Sequence, residues 1–322
     1  MECGVRSWSV GAAVLYGALG LLPLPAAARE SCALDALASP DLVIANVEPV
    51  RFANDITRKA IAHTATDPAA FKIKVRRAGP GASSFNNEPR YELAALEISR
   101  LLYPPGEDVV PPIALRSESF PAFYAIDPAG VEAWRGTNAA LFMVQCWLEG
   151  AKSHRLEIDR SRFATDPAYA RAISRLNVLT YLIEHKDSNL GNVMLTGEGE
   201  TVRAWAIDNG VAFDSAESDV GVFWRNLRVD AVDRALADRL RSLTLEELRA
   251  RLGVIAQYEL VDSRWQPRER GANLDARRGV RRRANQLQLG LTSAEINSIE
   301  RRRQRLVRRI DKGEISLLPD AS

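Results

Sequence analysis

The alternation of apolar and polar residues predicts strands in the first half of the chain. Residues 71–75 alternate apolar and basic side chains, which is typical of a strand with one buried face. Apolar side chains three and four residues apart then predict a helix over 91–102, and a Pro-Pro-Gly sequence ends it. Two further apolar runs predict strands over 109–115 and 139–148.

The second half of the chain has a mainly helical pattern. Apolar residues recur at helical spacing over 169–184, and short strands are predicted over 193–195 and 202–207 around a Gly-Glu-Gly-Glu turn. Thr244 and Thr292 are each followed three residues later by a glutamate, the spacing of a capping box that opens a helix. The pattern as a whole therefore predicts an α+β fold in two parts.

The first 28 residues have the composition of a targeting segment. Arg6 precedes an apolar run over 10–24, and Pro25-Ala26-Ala27-Ala28 supplies small residues suited to cleavage. Glycine and proline interrupt the run, which is shorter than the roughly 20 apolar residues of a membrane-spanning helix. We therefore expect a signal peptide over 1–28 and an extracytoplasmic mature protein, periplasmic or secreted. The alternatives, in order, are an uncleaved membrane anchor and a mis-assigned start codon.

Composition narrows the class of protein further. With 46% hydrophobic and 26% charged residues, the chain is an ordinary globular protein. Its 43 basic and 41 acidic residues give a net charge of +2, so we expect no nucleic-acid partner. Only six of the basic residues are lysines, which makes each lysine a candidate for a specific role.

Two cysteines remain beyond the predicted signal peptide, Cys32 and Cys146. They could form one disulfide in an oxidising compartment, although spacing alone does not establish a pairing. The apolar run around Cys146 favours a buried thiol instead, which would leave Cys32 unpaired near the start of the mature chain.

One polar segment carries the strongest chemical signal. Asp187 and Asn192 lie five residues apart just after the predicted helix, and Asp208 ends the second strand of the hairpin that follows. Pairing of the two strands would gather these three oxygen-bearing side chains at one rim. Oxygen ligands suit a hard cation such as Mg²⁺, and a carboxylate beside it could orient or deprotonate a hydroxyl.

This arrangement resembles the protein-kinase-like fold, in which an aspartate precedes an asparagine by five residues and a second aspartate opens an Asp-Phe-Gly turn. His185-Lys186-Asp187 is similar to the His-Arg-Asp motif, and Asp208-Asn209-Gly210 is similar to Asp-Phe-Gly. The sequence Asp-Ser-Asn-Leu-Gly-Asn-Val-Met-Leu is closest to atypical branches. These are the phosphatidylinositol 3-/4-kinase family, the HipA-type kinases and the secretory-pathway kinases. The resemblance covers about residues 70–215.

The resemblance also assigns residues in the first half of the chain. Lys72 and Lys74 share one face of the predicted strand, and one of them, with Lys74 favoured, would bind the nucleotide phosphates. Glu92 at the start of the next helix would pair with that lysine. Gln145 and Trp147, near the end of the predicted hinge strand, would offer backbone groups to adenine.

The resemblance implies a bilobal protein-kinase-like fold. Its smaller mixed β/α N-lobe would span 29–148, and its larger, mainly helical C-lobe would span 149–322 and end in a basic helix. It further implies an atypical kinase that uses ATP and Mg²⁺, or Mn²⁺, with Asp187 as the catalytic residue and Asn192 and Asp208 as metal ligands. The acceptor would be a hydroxyl group, on a protein rather than on a lipid, and we expect the kinase to be monomeric.

Two departures from the family pattern favour a pseudokinase, a scaffold module that has kept the fold. Residues 41–70 contain no glycine, so the glycine-rich loop over the phosphates is missing. Asn209 also stands where the family has phenylalanine. His185 could be a general base, but we expect it to brace the loop instead.

The basic residues near the C-terminus allow a third function. Residues 271–312 hold twelve basic and four acidic side chains. The simplest interpretation is a solvated face of a last helix that packs through its apolar stripe. The alternative is a docking surface for anionic lipid or for an acidic substrate. A phosphatidylinositol-type lipid kinase or a small-molecule kinase is the matching alternative to a protein kinase.

Overall fold

The computed structural model of the chain describes residues 32–50, 55–65, 68–84, 87–154, 157–216 and 221–319. These residues form a mixed α+β fold with several sheets, as the sequence predicted. The predicted signal peptide over 1–28 lies outside the described residues. Within them, no helix is long and apolar enough to cross a membrane.

Helices and strands are numbered separately in chain order. The helices are α1 (Leu34–Ala38), α2 (Pro89–Leu102), α3 (Phe120–Ile126), α4 (Arg160–Thr165), α5 (Pro167–Leu182), α6 (Arg234–Ser242), α7 (Leu245–Leu252) and α8 (Ser293–Asp311). The first strands are β1 (Val43–Pro49), β2 (Thr57–His63), β3 (Phe71–Arg77), β4 (Ile113–Ser119), β5 (Ala139–Cys146), β6 (Lys152–Ser153) and β7 (Val193–Thr196). The later strands are β8 (Arg203–Ala206), β9 (Ala231–Val232), β10 (Ala256–Val261), β11 (Arg264–Arg268), β12 (Val280–Arg283), β13 (Gln286–Leu289) and β14 (Ser316–Leu317).

A five-stranded antiparallel sheet, in the order β1-β2-β3-β5-β4, organises the first half of the chain. One face buries Phe71, Ile73 and Val75 of β3 in an apolar cluster that includes residues of α1 and α3. Because side chains alternate along a strand, the basic residues of β3 lie on the opposite face. The predicted strand over 71–75 and the predicted helix over 91–102 are confirmed as β3 and α2.

The next strand begins later than the sequence predicted. β4 starts at Ile113, whereas the apolar run begins at Val109. Pro111 and Pro112 explain the delay, because proline has no N–H to donate to a strand ladder. The strand predicted over 139–148 is confirmed as β5, which ends at Cys146.

The helix α5 forms the centre of the second half, and nearly all of its side chains are buried. Asp166 caps it by accepting a hydrogen bond from the Tyr169 N–H, and Pro167 occupies the first turn. The predicted hairpin is confirmed as the antiparallel pair β7 and β8. The reciprocal capping box of Thr292 and Glu295 opens α8.

The later part of the chain differs from the mainly helical prediction. β10 to β13 form a four-stranded antiparallel sheet in the order β11-β10-β13-β12. The arginines predicted to form a solvated face are also in part buried. Arg281 donates to the carbonyl oxygens of Gly253 and Leu291, and Arg303 pairs with Glu300 at 2.7 Å. Each buried guanidinium is thus satisfied within the protein.

Cys32 and Cys146 form a disulfide, with their Cα atoms 5.6 Å apart. The expectation that Cys146 is a free buried thiol and that Cys32 stays unpaired is therefore wrong. The bond joins Cys32, two residues before α1, to the last residue of β5, and α1 and β5 pack against each other. Periodicity could not reveal this pairing, because it depends on tertiary packing.

A buried cluster of polar side chains connects α2 with α8. The Glu295 carboxylate accepts hydrogen bonds from Arg90 Nη1 at 2.9 and 3.0 Å and from the Tyr91 hydroxyl at 2.6 Å. Burial alone would raise the pKa of Glu295. The hydrogen bonds and charge of Arg90, together with the bonds from Tyr91 and Thr292, outweigh burial and lower that pKa.

Replacing Glu295 by glutamine should lower the free energy of unfolding at pH 7 by about 3 kcal/mol, because Arg90 loses a charged partner in a buried place. In the wild-type protein this contribution is fully present above pH 4.5, the ordinary glutamate pKa. It should be lost as the pH falls from there through the lower pKa that Glu295 has in the folded state. Urea unfolding at pH 7 and pH 3 measures both effects.

The matched control is Glu314→Gln, which removes a partly exposed ion pair with Arg309 at 3.2 Å. That change should cost less than about 1 kcal/mol. If the difference between the wild type and Glu295→Gln is the same at both pH values, the charge of Glu295 does not stabilise the contact between α2 and α8.

Candidate functional site

β3 presents three cations on the face opposite its apolar side: Lys72, Lys74 and Arg76. Their surroundings differ. Lys72 Nζ lies 2.7 Å from Glu149, and both side chains are well exposed. Lys74 is half-buried, and no carboxylate oxygen of a described residue lies within 4.0 Å of its ammonium group. Of the two predicted phosphate ligands, Lys74 is therefore the one whose charge has no close protein partner in the described part of the chain.

Arg76 lies between two carboxylates, Glu92 of α2 and Asp208 just after β8. Its side chain is 9% exposed, and its Nη1 atom is 3.5 Å from Glu92 Oε1 and donates a hydrogen bond to Asp208 Oδ1. The sequence predicted that Glu92 pairs with Lys74, but the structure pairs Glu92 with Arg76 instead. The reason is position, since Arg76 is two residues further along the same face of β3 and reaches α2 from there.

The two carboxylates around Arg76 have pKa values shifted in opposite directions. Burial raises the pKa of Glu92 and the nearby charge of Asp208 raises it further, against the opposing effect of Arg76. Burial also acts to raise the pKa of Asp208, but the charges of Arg76 and Lys74 outweigh it and hold that pKa below its ordinary value. Asp208 is therefore a carboxylate at neutral pH.

Asn209 links the Asp208 turn to α2. Its side chain is fully buried, and its Nδ2 lies 3.5 Å from Glu92 Oε2 and 3.3 Å from the carbonyl oxygen of Ala206. Asp208 itself has a φ of 60°, in the left-handed region that aspartate tolerates better than most residues with a side chain. Asn209 therefore contacts the same glutamate as Arg76.

Asp187 and Asn192 form the second part of the site. Asn192 Nδ2 donates to Asp187 Oδ2 at 2.9 Å and to the Asp187 carbonyl oxygen at 3.0 Å. Its amide oxygen is thus left as a possible ligand. The Ile207 N–H donates to the Asn192 carbonyl oxygen at 3.0 Å, which holds this loop beside the Asp208 turn. The hairpin brings the three predicted side chains to the same end of β7 and β8.

The residues before Asp187 are anchored rather than free to react. The His185 ring is 1% exposed, and burial lowers its pKa, so the ring is neutral at neutral pH. Lys186 Nζ donates to the carbonyl oxygen of Ser215 at 2.8 Å. Both ring nitrogens of His185 are buried without a hydrogen-bond partner among the described residues, so its role in bracing the loop stays a prediction.

A pair of lysines faces the same side of the sheet. Lys59 of β2 is the register partner of Lys74 in the antiparallel pair, and directly opposed like charges destabilise such a pair. No carboxylate oxygen of a described residue lies within 4.0 Å of Lys59. An anion between the two ammonium groups would relieve the repulsion. The sequence reasoning missed Lys59, although the scarcity of lysine was a signal for it.

At the predicted hinge, fewer backbone hydrogen-bonding groups are free to contact adenine than the sequence indicated. The Trp147 N–H already donates to the Lys72 carbonyl oxygen at 3.1 Å and is therefore not available to adenine. Gln145 is the register partner of Lys74, and its side-chain Nε2 is buried without a partner among the described residues. Its side-chain amide, not its strand backbone, is therefore the free donor at this place. Lys59 Nζ lies 5.7 Å from the centroid of the Trp147 ring.

The donor set at the hairpin end fits a hard cation. It consists of the carboxylates of Asp187 and Asp208 and the amide oxygen of Asn192, and such oxygen ligands suit Mg²⁺ or Mn²⁺. The Asp208 side chain is 31% exposed while Arg76 binds one of its oxygens. No group of three or more His, Cys, Asp or Glu side chains gathers in a metal-binding arrangement anywhere in the described residues, and this end supplies two carboxylates and one amide.

Comparison of the sequence with models of known protein families gave no match, and comparison with curated proteins gave no significant match. The resemblance to the protein-kinase-like fold therefore stays a prediction from the sequence motifs.

Replacing Arg76 by glutamine should lower the free energy of unfolding by about 3 kcal/mol at pH 7, because two carboxylates lose the cation between them. Lys72→Gln is the matched control on the same strand and face, and it should cost less than about 1 kcal/mol. Urea unfolding measures both. The cost of Arg76→Gln should shrink in Glu92→Gln protein, since the two residues interact directly. If Arg76→Gln costs the same free energy of unfolding in Glu92→Gln protein as in the wild type, the ion pair between Arg76 and Glu92 contributes nothing to stability.

Proposed function

We propose that the chain is an atypical ATP-dependent kinase with a bilobal protein-kinase-like fold. It transfers the γ-phosphate of ATP to a hydroxyl group, on a protein acceptor. The observation that carries this proposal is the meeting of the Asp187–Asn192 pair with the Asp208 turn beside the cationic face of β3. A kinase needs this set of groups at one place, because phosphoryl transfer depends mainly on positioning and charge neutralisation.

The order of elements in the first half supports the proposal. A strand with inward cations, β3, is followed directly by α2, whose first turn carries Glu92. An ion pair joins the two through Arg76. A cation on the third strand that pairs with a glutamate of the next helix is a recurring part of protein kinases, where the cation is a lysine. Here arginine takes the pairing, and Lys74 is left for the phosphates.

Each residue then has a distinct role. Asp187 orients the acceptor hydroxyl and takes up its proton, and its hydrogen bond from Asn192 fixes the carboxylate in place. Asn192 and Asp208 would hold the Mg²⁺ or Mn²⁺ ion, which supplies charge neutralisation at the phosphates when it is bound. Arg76 and Lys74 keep Asp208 ionised by lowering its pKa.

The missing glycine-rich loop has a substitute in this proposal. Lys59 and Lys74 face each other across β2 and β3 with no close carboxylate among the described residues. A polyphosphate would bind between these two charges and remove their mutual repulsion. Lys59 lies on β2, the strand that follows the position of the glycine-rich loop in protein kinases. It thus adds a contact to the phosphates from that strand.

A protein acceptor is favoured over a lipid by the burial of the C-terminal arginines. Arg281 and Arg303 point their charges at carbonyl and carboxylate oxygens inside the protein. This removes part of the basic surface that a contact with an anionic membrane would need. The lipid-kinase alternative keeps only the exposed arginines of α8.

A pseudokinase is the second candidate, and one contact favours it. Arg76 engages the carboxylate of Asp208, the same group that would hold the metal ion. If that ion pair does not open, the site binds no metal and the fold serves as a scaffold. The two candidates differ in whether Mg·ATP binds and in whether phosphate is transferred.

The test uses purified mature protein, radiolabelled ATP and Mg²⁺, with incorporation into the protein itself and into a mixture of protein acceptors. Asp187→Asn should lower transfer by about 10²- to 10⁴-fold, because the base for the hydroxyl is lost. Asp208→Ala should abolish it. Asp214→Asn, an exposed aspartate just beyond the site, is the matched control and should leave transfer unchanged.

Thermal unfolding with millimolar Mg·ATP separates the two candidates, because a ligand that binds only the folded state raises its stability. A thermal shift without transfer would identify a nucleotide-binding pseudokinase. No shift and no transfer would leave the scaffold function. Equal transfer by Asp208→Ala and the wild type would show that the catalytic centre is elsewhere.

We further propose that the mature chain begins near Arg29 and works outside the cytoplasm, with a membrane-anchored form as the second choice. The disulfide between Cys32 and Cys146 supports this, because disulfides persist in oxidising compartments and are rare in the cytosol. N-terminal sequencing and non-reducing mass spectrometry of exported protein should find a start near Arg29 and an intact disulfide. Intact Met1 with two free thiols on cytoplasmic protein would refute the proposal.

A further inference from the structure

A second cavity lies apart from the candidate site and shares none of the residues assigned to it. It has a volume of about 790 Å³, is partly open to solvent and is lined by α2, β4, β10 and β11, with α1 at one side. Sites for small organic molecules commonly measure about 300–1,000 Å³. The cavity is therefore large enough for a ligand of that class.

The walls of this cavity are mainly apolar. Leu93 and Leu96 of α2 form one side, Ile113 and Leu115 of β4 form the second, and Trp265 of β11 forms the third. A cavity with such walls favours a hydrocarbon body, since water gains few hydrogen bonds there.

The charged residues at the cavity favour an anion. Five arginines and two carboxylates line it, and all but one of these arginines pair with an acidic side chain of the protein. The five arginines are Arg100, Arg116, Arg264, Arg268 and Arg270, and the two carboxylates are those of Glu97 and Glu118. Most of these arginines have an acidic partner, as Arg264 does in Glu118 at 3.0 Å and Arg270 in Glu97 at 3.7 Å.

Arg116 is the exception. Among the described residues it has no carboxylate within 4.0 Å, and its Nη1 instead donates to the carbonyl oxygens of Leu37 and Ser39 at 2.9 and 2.6 Å. Its Nε atom is buried without a partner. Burial lowers the pKa of Arg116, because the more distant charges of Glu118 and Asp41 do not offset the loss of water. Its charge lacks the anion that such a place needs.

We propose that this cavity binds an amphipathic anion. The hydrocarbon body lies in the groove along β4, the edge strand of the large sheet, and the head, a carboxylate or a phosphate, pairs with Arg116 on the α1 side of that strand. This site is independent of the proposed kinase function, since none of its residues takes part in that chemistry.

Isothermal titration calorimetry of the purified mature protein tests the proposal with three probes of equal chain length: dodecanoate, dodecyl phosphate and dodecanol. All are used below the concentrations at which they aggregate. One anionic probe or both should bind at one site per chain, and dodecanol should bind at least tenfold more weakly. The tighter anionic probe identifies the kind of head group. No binding of either anion, or equal binding of dodecanol, would overturn the proposal.

Variants assign the binding to this cavity. Arg116→Gln should weaken binding of the anionic probes at least tenfold, whereas Arg116→Lys should keep most of the affinity. Ala256→Phe adds volume at the cavity wall without touching Arg116, so it should weaken all probes and stays informative if Arg116→Gln does not fold. Arg171→Gln, at a surface away from the cavity, is the control. Unchanged binding in folded Arg116→Gln or in Ala256→Phe would place the ligand elsewhere.

Discussion

The Arg76 guanidinium, held between Glu92 and Asp208, joins three separate parts of the chain: the sheet, α2 and the turn after β8. Two carboxylates in a buried place repel each other, and each would favour its protonated form without a cation between them. Their common partner lets Asp208 stay ionised and holds α2 against the sheet. Asn209 strengthens the same connection from the other side, through its contact with Glu92.

The parts of the fold that were predictable are those fixed by local periodicity. β3, α2, α5 and the β7–β8 hairpin each have a clear repeat of two or of three to four residues. The meeting of Asp187, Asn192 and Asp208 was also predictable, because one short loop and one hairpin determine it. Arg76 was not, although it shares a face with Lys72 and Lys74. Its role depends on how far along β3 the helix α2 packs, which no repeat encodes.

The four-stranded sheet of β10–β13 and the buried arginines were missed for a related reason. β10 and β13 do alternate apolar and polar residues, but these strands are only four to six residues long, and arginines interrupt the pattern in β11 and β12. Arg281 looks like a surface charge in the sequence, but carbonyl oxygens of distant residues satisfy it. The pairing of Lys59 with Lys74 likewise depends on strand register, and the disulfide depends on where α1 packs.

The disulfide also has a mechanical consequence. Cys32 and Cys146 are 114 positions apart, and the chain between them contains all five strands of the large sheet as well as α2. If the chain is pulled from Cys32 and from its C-terminal end, the tension is transmitted directly through the disulfide. The enclosed loop, on the order of 400 Å when extended, would carry no tension. Force from a translocating motor or an optical trap could extend only the chain beyond β5, and the enclosed segment could not be drawn out beyond its ring.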